Sequence, residues 1–203
     1  MKERPILVSS EMVRAILDDR KSQTRRVIKP QPILHNNCNG QYFGWKGHSI
    51  PARLFANECL YGVPGDLLWV RETWADTSFD WEYGTKQEAV YRATDIEYPG
   101  PWRPSIFMPR WASRITLKII NVRVERLQEI TYEDAVAEGT PGIGLVGANI
   151  LMLVTGTNNL DDAEKKARID SFAELWDSIN IKNDYPWSNN PWVWVIEFER
   201  TNP

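Results

Sequence analysis

The residues best suited to chemistry in this 203-residue chain crowd into one segment, Asp19-Arg20-Lys21-Ser22-Gln23-Thr24-Arg25-Arg26. Between positions 14 and 29 stand six cations (Arg14, Arg20, Lys21, Arg25, Arg26 and Lys29) against two anions, Asp18 and Asp19. The chain as a whole has a formal net charge of −3, so the segment departs from its surroundings. A charge run is ordinarily a solvated face, but this concentration in an acidic chain points to a patch that meets an anion. The overall balance excludes a protein that coats nucleic acid indiscriminately.

The other reactive residue types make weaker patterns. His35, Cys38, His48 and Cys59 hold one tight ligand spacing, His35-x-x-Cys38, and no second pair to complete a zinc site, so neither metal nor cofactor is expected. Gly139, Gly142, Gly144 and Gly147 lack the lysine and the strand-to-helix context of a phosphate loop. Among ten tryptophans, Trp69, Trp74, Trp192 and Trp194 fall on expected strands and read as core or wall. Trp45, Trp81, Trp102, Trp111 and Trp187 lie in irregular stretches. There they can stack a base, though pinning down long loops is the favoured account.

Positioning the basic segment falls to the elements on either side. Ser9 and Ser10 are the candidate caps of a helix in which Met12, Val13, Ile16 and Leu17 recur at helical spacing, ended by Asp18-Asp19. A strand is expected over 24–28, halted by Lys29-Pro30. Positions 30–60 and 75–105 read as long irregular excursions, the second broken by a strand over 88–92. Strands are expected over 67–74, 114–127 and 192–198. Thr131 opens a short helix, with Asp134 three residues on, and Gly139 ends it. A long helix over 160–179 carries Ala163, Ala167, Ile169, Phe172, Leu175, Trp176 and Ile179 on one stripe. The stretch 140–158 is Gly-rich and apolar and shows no clear period.

Strand-rich patterning without a βαβ rhythm points to an α+β fold with a closed or nearly closed barrel, flanked by two or three helices. The length suits one domain over 1–203 with insertions at about 30–60 and 75–105. No apolar run reaches the ~20 residues of a membrane span, and no apolar stretch follows the charged start, so a cytoplasmic location without a membrane partner is expected. A monomer is the default expectation.

The order of these pieces resembles the ASCH domain, a member of the PUA-like β-barrels. The matching pieces are Asp19 to Arg26, Gly65-Asp66-Leu67-Leu68-Trp69-Val70, Thr131 to Gly139, and Trp194-Val195-Ile196-Glu197-Phe198, about half the chain. The long excursions resemble those of phage and prophage members. Where the family's turn carries glycine, this chain has Asp19, a residue type that tolerates the left-handed conformation.

The resemblance implies a site. Small bacterial ASCH proteins act as amidohydrolases that remove the acetyl group of N4-acetylcytidine, using a lysine, a threonine three residues on and a glutamate. These fall on Lys21, Thr24 and Glu138, with Glu72 as the rival carboxylate and Arg20, Arg25 and Arg26 as substrate or nucleic-acid contacts. A threonine hydroxyl needs a base within reach, and a lysine can be that base if burial and neighbouring arginines lower its pKa. The expected partner is a modified nucleoside or RNA. Two other readings share the basic pocket: a non-catalytic reader of modified nucleic acid, and a metal-independent ribonuclease.

Overall fold

The structure, a computed structural model, describes residues 1–38, 40–77, 89–141 and 160–201. It is an α+β fold. β1 (Glu3–Leu7) leads into α1 (Ser10–Leu17) and β2 (Gln23–Val27). A meander of β3 (Ile33–Asn37), β4 (Gly40–Trp45) and β5 (His48–Pro51) runs into the single turn α2 (Ala52–Phe55). β6 (Leu67–Arg71), the pair β7 (Trp74–Asp76) and β8 (Ala89–Tyr91), and the long β9 (Thr116–Arg126) follow. The chain then forms α3 (Tyr132–Ala137), α4 (Leu160–Asn180) and β10 (Trp192–Thr201).

The main sheet has the order β1-β6-β9-β10-β2, with β1 parallel to β6 and the other neighbours antiparallel. β1 and β2 are unpaired edges, so the barrel expected from the sequence does not close as a ladder among the described residues. A side chain bridges the opening instead: the Arg26 guanidinium on β2 donates to the Leu7 carbonyl on β1 at 2.7 Å.

Both faces of the sheet are covered, which explains the near-continuous apolar run of β10. Trp194, Ile196 and Phe198 pack with Ile6, Leu68, Val70, Leu117 and Ile119, beneath Val13 and Ile16 of α1. Val193 and Val195 turn the other way, onto Leu127, Ile130 and Ala135 and onto Phe172 and Trp176 of α4. Ile179 departs from the expected stripe and is 54% exposed.

Positions 30–60 are more than an excursion. Phe43, Trp45 and Phe55 are buried in the main core, where Phe55 stacks on Phe43 at 4.5 Å and on Trp194 at 5.2 Å between ring centroids. The expected strand over 67–74 is two: it breaks at Glu72-Thr73, and Trp74 joins a separate two-stranded sheet with β8. Trp81 and most of the Gly-rich stretch lie outside the described residues. No described helix is long and apolar enough to cross a membrane.

Candidate functional site

Two helix ends build the site. Of the two candidate caps, Ser9 caps α1, its side chain accepting from the Met12 amide. At the other end Asp19 adopts the left-handed conformation, φ 55°, and the amides of Arg20 and Lys21 both donate to the Ala15 carbonyl. The chain thereby doubles back and presents Lys21 at the start of β2. α3 begins at Thr131 with a reciprocal capping pair, Thr131 and Asp134, and ends at Glu138. Gly139 follows at φ 77°, where a Cβ would stand 3.0 Å from both Ala15 Cβ and Lys21 Cβ. Only glycine allows the two turns to approach this closely.

The approach pairs Lys21 with Glu138 across an isolated antiparallel bridge, extended by Ser22 N–H donating to the Ala137 carbonyl at 2.9 Å. Their side chains meet as well. Lys21 Nζ donates to Glu138 Oε2 and to the Glu138 carbonyl, each at 2.8 Å, and both side chains are 5% exposed. Burial lowers the Lys21 pKa from its ordinary 10.5; Glu138 opposes this, and the charges of Arg26 and Arg25 add to it.

Arg25 completes the floor. Its side chain is fully buried and donates to Glu138 Oε1 at 3.3 Å, Asp134 Oδ2 at 2.8 Å and Glu125 Oε2 at 3.2 Å. Asp134 is also held by Arg123 at 2.6 Å, and Arg123 pairs in addition with Glu125 and Glu197. Burial, the largest single influence, pushes the Asp134 pKa up, but Arg25, the Thr131 amide and Arg123 together outweigh it and bring the carboxyl below its ordinary 3.8. Arg25, expected from the sequence as a substrate or nucleic-acid contact, has its terminal nitrogens engaged by three carboxylates, although it also lines the cavity. It positions Glu138, which in turn holds Lys21.

β2 is an edge strand, so a cavity can wrap around it. Thr24 and Arg26 share a face with their partners Ile196 and Trp194, while Arg25 faces the other way with Val195. All three, with Lys21 and Glu138, line one cavity of about 660 Å³ walled by Ile6, Ile16, Tyr61, Trp194 and Phe198 on one side and Phe172 and Trp176 on the other. That volume lies within the ~300–1,000 Å³ of small-molecule sites. Thr24 is buried, and Arg26 lies over the Tyr61 ring at 5.9 Å.

Two expected residues stand elsewhere. Arg20 is exposed and pairs with Asp18 at 2.8 Å, outside the cavity lining. Glu72 is also outside the lining; its buried carboxylate is gripped by Arg114 at 2.9 and 3.1 Å, and burial raises its pKa despite that pairing. Asp134, Arg123 and Glu125 were not anticipated. Their signal was the charged alternation of β9, where Arg123 and Glu125 interleave with Val122 and Val124. Among the described residues no three His, Cys, Asp or Glu side chains are arranged to hold a metal ion. Cys38 is exposed and Cys59 buried, its thiol pushed up to about 11 by burial.

Comparison with protein-family models, with curated proteins and with solved structures finds no match for this chain.

Proposed function

We propose that the chain is an ASCH-type, PUA-like protein whose cavity hydrolyses the amide of an N-acylated nucleoside, with N4-acetylcytidine as the reference substrate. The observation that carries this reading is the buried Lys21–Glu138 pair at 2.8 Å, on the wall of a cavity that Thr24 also lines. The Arg26–Leu7 link across the open seam supports a fold derived from a barrel.

Nζ of a charged lysine has three N–H donors, and two are taken by Glu138. The third position carries a lone pair when Lys21 is neutral and a proton when it is charged. Burial lowers the Lys21 pKa, which makes the neutral form easier to reach than for a solvated lysine. Neutral Lys21 takes the Thr24 hydroxyl proton as Oγ1 bonds to the amide carbon. The resulting ammonium returns that proton to the leaving nitrogen as the C–N bond breaks, which releases cytidine and leaves an acyl ester on Thr24. Water, deprotonated by Lys21, then attacks the ester; the proton goes back to Thr24 and acetate departs. Glu138 orients the lysine throughout, and Arg26 adds positive charge beside the cavity. The apolar walls exclude water and accept the faces of a base.

The test is incubation of the purified protein with N4-acetylcytidine and quantification of cytidine and acetate. Equimolar release, abolished in Lys21→Ala, supports the reading. Binding without turnover would turn the cavity into a reader of modified bases.

A further inference from the structure

Amide hydrolysis leaves part of the cavity's chemistry unused. Among the described residues its lining carries four cations, Lys21, Arg25, Arg26 and Lys29, against the single carboxylate of Glu138. Glu138 accepts from Lys21 and Arg25, and Arg25 is held further by Asp134 and Glu125. Arg26 gives one N–H to the Leu7 carbonyl and lies over the Tyr61 ring, and its buried Nε has no acceptor among the described residues. Lys29 lies over the Tyr185 ring at 4.9 Å. A buried donor without an acceptor is unused binding capacity, and the group that best matches a guanidinium fork is a carboxylate. An acetylated cytosine ring brings no such anion. The second feature is the amine itself. Lys21 lines the cavity with a side chain only 5% exposed, and two bonds of 2.8 Å to Glu138 leave the third position of Nζ free. A desolvated amine beside other cations is the setting in which lysines form imines with carbonyl compounds.

We propose that this cavity also takes a small α-oxo acid with an apolar side chain, held as an iminium on Lys21 with its carboxylate on Arg26. Glu138 takes a proton from Nζ, and the nitrogen adds to the carbonyl carbon. The former carbonyl oxygen then leaves as water, carrying the two protons that Nζ gives up and Glu138 relays. One N–H and the positive charge stay on the nitrogen. The bond to Glu138 Oε2 therefore survives, and only the bond to the main-chain oxygen is lost. Burial, which lowers the Lys21 pKa, favours the neutral amine that the addition requires. Thr24 and Arg26 share one face of β2, and the charge of Arg26 acts on Lys21, so one small molecule spans both cations. Phe172, Leu175 and Trp176 supply an apolar wall for its side chain and keep water from returning to the imine. The iminium depends on the Lys21–Glu138 pair and not on the cavity's being a nucleobase site.

The experiment is reductive trapping on the full chain at neutral pH. Sodium cyanoborohydride is added with either the α-oxo acid of leucine or isovaleraldehyde, which has the same side chain and no carboxylate. Peptide mass spectrometry then locates the modified lysines. Trapping of the oxo acid on Lys21 is expected at least about tenfold above that on the exposed Lys46 and Lys182. Arg26→Gln should lower oxo-acid trapping on Lys21 by about tenfold and leave aldehyde trapping unchanged. Glu138→Gln should slow both probes alike, since both need its proton relay. Oxo-acid trapping on Lys21 no greater than on the surface lysines overturns the proposal, and the parent protein alone decides this if a variant fails to fold. An Arg26→Gln protein that loses both probes equally, or neither, also overturns it. Cytidine release without trapping defeats this proposal alone; trapping without cytidine release defeats only the amide reading.

Discussion

Replacing Glu138 with glutamine isolates the interaction on which the site depends. Removing one partner from a buried ion pair costs about 3–5 kcal/mol, because the other charge stays buried and unpaired. Three features reduce that figure here. Arg25 keeps Asp134 at 2.8 Å and Glu125 at 3.2 Å. The glutamine carbonyl can still accept from Nζ, and Lys21 keeps its bond to the Glu138 main-chain oxygen. Lys21 can also shed its proton, since burial already lowers its pKa and Glu138 is the largest influence holding it up. A loss of about 2 kcal/mol at neutral pH is therefore expected, at the scale of a hydrogen bond to a charged group.

Its pH dependence is the sharper result. The unfolded lysine titrates at 10.5 in both proteins, while the folded value lies below that and falls further in the variant. Below both folded values Lys21 is charged in every state, and the variant shows its full deficit. As pH rises through the interval between the two folded values, the variant's lysine is already neutral and its unfolded state binds the extra proton. Stability of the variant then climbs faster than that of the parent, and the deficit shrinks. Urea unfolding at unit steps from about pH 5 to about pH 10 measures this, with equal denaturant slopes as the check on the unfolded state. A deficit that stays constant across the range, or widens with pH, would refute a Lys21 whose charge is costly in the fold.

Three further outcomes follow from particular contacts. Phe55→Ala should cost about 3–5 kcal/mol by urea midpoint, since the ring is fully buried against Phe43 and Trp194; a peripheral loop would give less than about 1 kcal/mol. Asp66, held by the Lys2 amide at 2.7 Å and Arg4 at 2.9 Å, has its pKa lowered to about 2, so its contribution is complete above 3.8 and fades as acid approaches 2. Asp66→Asn should flatten stability between those pH values, and an unchanged acid slope would contradict the contact. Gly139→Ala should cost about 1–2 kcal/mol for the left-handed backbone alone. It should also lower turnover by pressing on Lys21, read as kcat against thermal midpoint.

Local chemistry made part of this site legible. Asp19 was readable as a left-handed turn residue, and Thr131 with Asp134 as a helix start, because both act within a few residues of themselves. Lys21 and Thr24 fell on a turn and strand that the apolar pattern places correctly, one residue early in the structure. What sequence could not supply was the partner of each charge. Arg25 reads as a free cation until α3 and β9, each about a hundred positions away, deliver Asp134, Glu138 and Glu125 to it. Glu72 reads as a rival catalytic carboxylate until Arg114 closes on it. The meander escaped notice for a different reason: β3 and β5 are short and largely exposed, so only β4 carries the inward residues Phe43 and Trp45. The open seam between β1 and β2 is likewise a matter of long-range register, and no local pattern marks it.

The pH dependence of kcat/KM for cytidine release from N4-acetylcytidine, measured for the parent and for Thr24→Val and Lys21→Ala, tests the central claim most directly. A base buried as Lys21 is predicts a rate that rises with pH and levels off below 10.5, with both variants reduced by at least about a hundredfold. A rate that climbs without levelling, as hydroxide alone would give, or a Thr24→Val protein that turns over as the parent does, would contradict it.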